Sequence, residues 1–69
     1  MANPRVWVVP KTESSSSYHE VVWSRTGDLN AGARNGNIRR FRKWTNAKLF
    51  AKKKAANLGK KTDLQIHPY

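Results

Sequence analysis

One short segment of the chain concentrates side chains that bind anions. Three arginines and a lysine, Arg39, Arg40, Arg42 and Lys43, surround a single aromatic residue, Phe41. A guanidinium group donates paired hydrogen bonds to a phosphate, or to the two acceptors on the major-groove edge of guanine. The segment therefore predicts nucleic-acid binding. The competing interpretation is an edge strand whose charges prevent aggregation.

This segment lies in a longer window that contains no acidic residue. Between Asp28 and Asp63 lie 11 of the 14 lysines and arginines, and the chain has a formal net charge of +10. Like charges one helical turn apart repel each other, so a polyanionic partner is the simplest reason to keep such a window. The residues expected to contact that partner are Arg34, Arg39, Arg40, Arg42, Lys43, Lys52, Lys53 and Lys60.

Two partners match this charge. The first is nucleic acid, with duplex DNA favoured over RNA, bound through the basic strand and the adjoining loop. The second is a host protein with an acidic surface, for instance on the transcription machinery, modulated by a phage-encoded protein. Charge alone does not separate the two.

Side chains for catalysis or metal binding are scarce. The carboxylates and imidazoles are Glu13, Glu20, Asp28, Asp63, His19 and His67, and the chain has no cysteine. Acid–base catalysis needs a titratable pair within hydrogen-bond reach, and zinc sites need ligands at recognisable spacings. No such spacing is present, so we expect a non-enzymatic protein without a cofactor or metal.

Three segments have the composition of β-strands, being rich in β-branched and aromatic residues. They span residues 5–9, 18–25 and 38–44. Pro10 is expected to end the first. Alternation in the third places Arg40 and Arg42 on one face, and Arg39 and Lys43 beside Phe41 on the other. Serines at 14–17 predict a flexible loop over 11–17, and glycines and asparagines predict a second loop over 27–37.

A single helix is predicted over residues 46–58. Thr45 is its expected N-cap, Trp44 is expected to pack against Leu49, and Gly59 is expected to end it. The apolar stripe comprises Ala47, Phe50, Ala51, Ala55 and Leu58. Lys48, Lys52 and Lys53 are expected to point away from the stripe, and Lys54 to border it.

Together with a last strand over 62–67, these elements predict an α+β fold in the order β-β-β-α-β. A right-handed crossover places the fourth strand beside the first, so the spatial order is 4-1-2-3. We expect one domain over residues 1–69, with a mainly antiparallel sheet of three or four strands and the helix on one face. The other face stays open, and Trp7 and Trp23 are either core residues or a stacking platform on it.

Three motifs resemble a known family. They are Val8-Val9-Pro10, the helical set Phe50-Ala51, Ala55 and Leu58, and Leu64-Gln65-Ile66-His67. Together they resemble the domain-of-unknown-function family 2188 of small bacterial and phage proteins, which implies the same small α+β fold and no assigned activity. The architecture is also similar to the arm-binding domain of tyrosine recombinases, whose sheet enters the DNA major groove.

The longest apolar run, Val6 to Val9, is far shorter than a membrane span. We therefore expect no membrane partner and a cytoplasmic location, which is the host cytoplasm if a phage encodes the protein.

Overall fold

Four strands and two helices follow one another along residues 3–67, the part of the chain that the computed structural model describes. They are β1 (Arg5–Glu13), β2 (Ser16–Ser24), α1 (Leu29–Arg34), β3 (Ile38–Phe41), α2 (Trp44–Leu58) and β4 (Asp63–Ile66). The strands form one mixed sheet in the order β3-β2-β1-β4. β1–β2 and β2–β3 are antiparallel, whereas β1–β4 is parallel. The predicted α+β class and strand order are confirmed.

The β1–β2 hairpin is longer than predicted. Both strands have nine residues, and pairing continues to Glu13 opposite Ser16, so only Ser14 and Ser15 form the turn. Ser14 takes the left-handed conformation that tight two-residue turns require, with φ 55°. The expected flexible loop over 11–17 is therefore wrong, because serine side chains tolerate extended pairing as readily as a loop.

Pro10 does not end β1. The carbonyl of Val8 accepts a hydrogen bond of 2.8 Å from the His67 N–H on the β4 side. Backbone groups alternate in direction along a strand, so the nitrogen of Pro10 points to the same side. In a parallel pair the next hydrogen bond would run from the N–H of residue 10 to the carbonyl of His67, so proline ends the β1–β4 pairing at Val8 while β1 continues beside β2.

Part of the predicted loop over 27–37 is the short helix α1. The Asp28 carboxylate caps it by accepting hydrogen bonds from the N–H groups of Asn30 and Ala31, at 3.1 and 3.2 Å. Gly32 is buried against β2, and a Cβ built there would lie 2.1 Å from the carbonyl oxygen of Trp23. The absence of a side chain at this position lets α1 lie directly on the backbone of β2.

The core lies between the sheet and α2. Val6, Val8, Val21, Ala47 and Ala51 are fully buried. Around them pack Trp23, Phe41, Phe50, Ala55, Leu58, Leu64 and Ile66. The predicted apolar stripe of the helix is confirmed, because all five of its residues belong to this cluster.

The start of α2 differs from the prediction. β3 ends at Phe41, and α2 begins at Trp44 with Lys43 as an N-cap that makes no side-chain hydrogen bond. Thr45 is therefore not the cap. The expected contact of Trp44 with Leu49 is also wrong, because Leu49 points to solvent and is 60% exposed. The end of the helix agrees with the prediction, with Gly59 at φ 117°.

Candidate nucleic-acid interface

Arg40 lies on the open face of the sheet, but its charge is compensated. It is paired across the sheet with Glu20, and the Nε–Oε2 distance is 3.7 Å. Its guanidinium also lies over the Tyr18 ring, 5.2 Å from the centroid. The side chain of Glu20 is only 15% exposed, so this carboxylate is well placed to hold Arg40 against the sheet.

The remaining basic residues of the segment point in different directions. Arg39 lies on the helix side, as predicted, with its guanidinium 5.5 Å from the centre of the Phe50 ring. Arg42 and Lys43 lie beyond the end of β3, so they do not share strand faces with Arg40 and Phe41 as predicted. The chain turns at these two residues in order to enter α2.

The open face carries balanced charge. Strand alternation places on it three basic and three acidic residues. They are Arg5, Lys11, Arg40, Glu13, Glu20 and Asp63. Both ion pairs found among residues 3–67 lie here, Arg40–Glu20 and Arg5–Asp63, the latter at 3.4 Å. The fourth acidic residue, Asp28, caps α1.

The uncompensated charge is concentrated along α2 and its two ends. We define the α2 basic surface as Arg42, Lys43, Lys48, Lys52, Lys53, Lys60 and Lys61. No acidic residue lies between residues 42 and 61. Every member of the α2 basic surface except Lys48 is exposed. The predicted outward direction of Lys52 and Lys53 is confirmed.

Two lysines of α2 are held by aromatic rings at the flanks of the helix. The ammonium of Lys48 lies 4.7 Å from the centre of the Trp44 ring, so this residue does not point straight outward as predicted. Lys54 borders the apolar stripe as predicted, 4.7 Å from the ring centre of Trp23 and 5.5 Å from that of Phe50. Each ring lowers the freedom of a charged side chain that would otherwise move through solvent.

Arg34 lies apart from the α2 basic surface, whereas Lys60 belongs to it. Arg34 is exposed in the last turn of α1, where a cation complements the helix dipole. Lys60 is exposed in the turn that follows α2. Of the eight residues predicted to contact nucleic acid, Arg42, Lys43, Lys52, Lys53 and Lys60 thus belong to the α2 basic surface.

The two tryptophans of the central strands have different environments. Trp23 packs on the helix side against Phe50, with ring centroids 5.4 Å apart. Trp7 lies on the open face, between the Arg5 guanidinium at 5.4 Å and the His67 ring at 6.4 Å. Trp23 is therefore a core residue, and the interpretation as a stacking platform applies only to Trp7.

The two histidines do not form a common site. His19 pairs opposite Phe41 on the helix side of the sheet, whereas the ring of His67 contacts Trp7 on the open side. Within residues 3–67 no three carboxylate or imidazole side chains come together in a way that could hold a metal ion.

Comparison of the chain with protein-family models, curated proteins and solved structures gives no match. The resemblances to family 2188 and to the recombinase arm-binding domain therefore stay predictions. Among the described residues, no helix has both the length and the apolar character needed to cross a membrane.

Proposed function

We propose that the protein is a non-enzymatic nucleic-acid-binding protein that contacts the phosphates of duplex DNA through the α2 basic surface. The observation that carries this proposal is the separation of charge across the fold. Acidic residues balance the basic ones on the open face of the sheet, whereas none lies along α2 or its ends. A phosphate backbone stabilises such a surface by replacing the missing anions and releasing its own counterions.

The dimensions of α2 support a duplex. Its 15 residues span about 22 Å, and a helix with its side chains is about 10–12 Å across. The major groove is about 12 Å wide, and its rims carry the phosphates. The exposed ridge of α2 includes Leu49 and Ala56, with Lys52 and Lys53 beside them. A helix with this ridge can enter the groove while lysines reach the backbone.

The N-terminus of α2 favours the same ligand. Its first turn contains no acidic residue, and its N-cap, Lys43, makes no side-chain hydrogen bond to the helix. The free N–H groups of a first turn carry a partial positive charge that attracts phosphate. Together with Arg42 and Lys43, they make this end of the helix suitable for a backbone contact.

The α2 basic surface has stronger support than a sheet inserted in the groove. The sheet interpretation relied on Arg40 and Arg42 lying together on an open strand face. Arg42 lies outside β3, and Arg40 is paired with Glu20. Binding through the sheet would require breaking that pair and bringing Glu20 towards phosphate.

Titration of labelled duplex DNA with single variants tests the proposal. We expect Lys52→Gln and Lys53→Gln each to weaken binding and to lower the slope of log affinity against log salt by about one unit where the lysine touches phosphate. Lys11→Gln is the matched control, since it removes the same charge from the balanced face. A larger loss with Lys11→Gln, or no DNA binding at about 50 mM salt, would contradict the proposal. Retention of a host protein without DNA in a pull-down would instead favour the host-modulator alternative.

A further inference from the structure

A cleft of about 560 Å³ lies between α1, α2 and the end of β2. No acidic residue lines it. The lining residues that matter here are Trp23, Arg25, Asn35, Asn37, Lys54 and Asn57. None of the lining residues belongs to the α2 basic surface, and none is among the eight basic residues that the sequence predicts to contact nucleic acid. The cleft is therefore distinct from that surface.

The polar groups around the cleft are available to a ligand. Within residues 3–67, the side-chain amides of Asn35, Asn37 and Asn57 make no hydrogen bond, and Arg25 forms no ion pair. An amide NH₂ group donates two hydrogen bonds and a guanidinium donates five. The cleft therefore combines an excess of donors with positive charge.

Two structural features hold the cleft in shape. Contact of Gly32 with the Trp23 carbonyl fixes α1, which carries one wall, against β2. On the opposite wall, the Trp23 and Phe50 rings hold the ammonium of Lys54 in place. A charged donor that is already ordered loses less entropy when a ligand binds.

We propose that this cleft binds a phosphate group, with Arg25 and Lys54 supplying the charge and the asparagine amides supplying further hydrogen bonds. Phosphate accepts several hydrogen bonds and carries negative charge, so it complements a donor-rich cleft that lacks acidic residues. The claim that this phosphate belongs to nucleic acid rests on the proposed function. The claim that the cleft binds phosphate is independent of it. In a DNA complex, the cleft would hold one phosphate beside those contacted by the α2 basic surface.

Proton–nitrogen NMR of the intact chain tests the site with inorganic phosphate as the first probe. We expect saturable shifts of the side-chain amide signals of Asn35, Asn37 and Asn57, together with the indole N–H signal of Trp23. Arg25→Gln should weaken this binding about tenfold or more, as expected for the loss of a charge-assisted hydrogen bond. Arg34→Gln is the matched control, because Arg34 is exposed on α1 but does not line the cleft.

Short DNA duplexes with and without a 5′-phosphate identify the source of the phosphate. Tighter binding of the phosphorylated duplex, with the same signals shifting, assigns the cleft to a terminal phosphate. Equal binding of the two duplexes, with the same signals shifting in both, assigns it to the backbone. Shifts that are identical in Arg25→Gln and Arg34→Gln, or an absence of shifts at the asparagines, would overturn the proposal. DNA binding without those shifts refutes the assignment of the cleft's phosphate to nucleic acid and leaves the proposed function standing. Phosphate shifts without DNA binding refute the proposed function and leave the cleft.

Discussion

Gly32 sets the distance between α1 and the sheet. In most helices alanine is more stable than glycine by about 1 kcal/mol, so Gly32→Ala would be expected to stabilise an isolated α1. Here the added Cβ would lie 2.1 Å from the Trp23 carbonyl oxygen, and the obstacle is backbone that a rotamer change cannot move. The steric effect therefore exceeds the gain in helix propensity.

We expect Gly32→Ala to lower the free energy of unfolding by about 1–3 kcal/mol, measured by urea denaturation. Gly36→Asn is the control, because Gly36 has φ +86° with open space around it, and asparagine tolerates this conformation. Its cost should be at most about 1 kcal/mol. Equal costs for the two variants would show that α1 does not lie directly on β2.

The Arg40–Glu20 pair distinguishes the two possible DNA-binding surfaces. Glu20→Gln and Glu13→Gln raise the net charge equally, but only Glu20 lies in contact with Arg40. If α2 is the interface, both variants should strengthen DNA binding by a similar, small factor through the long-range field.

This comparison uses the same duplex titration at a single salt concentration. If the open face of the sheet entered the groove, Glu20→Gln would free Arg40 and remove a repulsive carboxylate, so it would strengthen binding much more than Glu13→Gln. Such a difference would favour the sheet and contradict the α2 interface.

The two faces of α2 provide matched leucines. Leu58 packs against the core cluster, whereas Leu49 is 60% exposed. We expect Leu58→Ala to cost about 2–5 kcal/mol, because it removes packing from a small core and leaves a cavity. Leu49→Ala should change stability by less than about 0.5 kcal/mol, as expected of surface positions. Chemical denaturation of the two variants measures both values, and similar costs would mean that the helix is rotated from the position described.

The sequence correctly predicts the elements whose spacing of apolar residues fits only one type of secondary structure. Val6 and Val8 alternate with residues of the other face, and Ala47, Ala51 and Leu58 recur at helical spacing, so strands and helix followed from periodicity. Strand order followed from the handedness of the crossover. Asp28 is an N-cap signal for α1, but the glycines and asparagines of residues 27–37 have the composition of a loop.

The remaining errors depend on tertiary contacts. Pro10 is tolerated within β1 because its nitrogen faces the β4 side, where pairing ends at Val8, and composition does not reveal which neighbour a backbone nitrogen faces. The neutral open face arises because Glu20 and Asp63, distant along the chain, lie beside Arg40 and Arg5. Strand alternation alone therefore overestimates how freely the Arg40 side chain can contact a phosphate, because it does not account for the pair with Glu20.

The fold as a whole has one neutral and one strongly basic side. This asymmetry orients the molecule, because a polyanion attracts the α2 side while the sheet stays turned away. If four to six phosphates are contacted, log affinity for duplex DNA should fall with log salt at a slope of about −4 to −5. Fluorescence anisotropy over a range of salt concentrations measures the slope. A complex insensitive to salt would exclude phosphate contacts as its main source of affinity.

The parallel pairing of β1 with β4 has a consequence for synthesis on the ribosome. β1 is made first, yet the side of β1 that faces β4 has no partner until residues 63–66 have left the exit tunnel. Until then, the nascent chain can form the β1–β2 hairpin but exposes the unpaired backbone of Val6 and Val8 to other chains. Translational pausing before residue 63 would prolong this exposed state, and aggregation of the nascent polypeptide would compete with folding there.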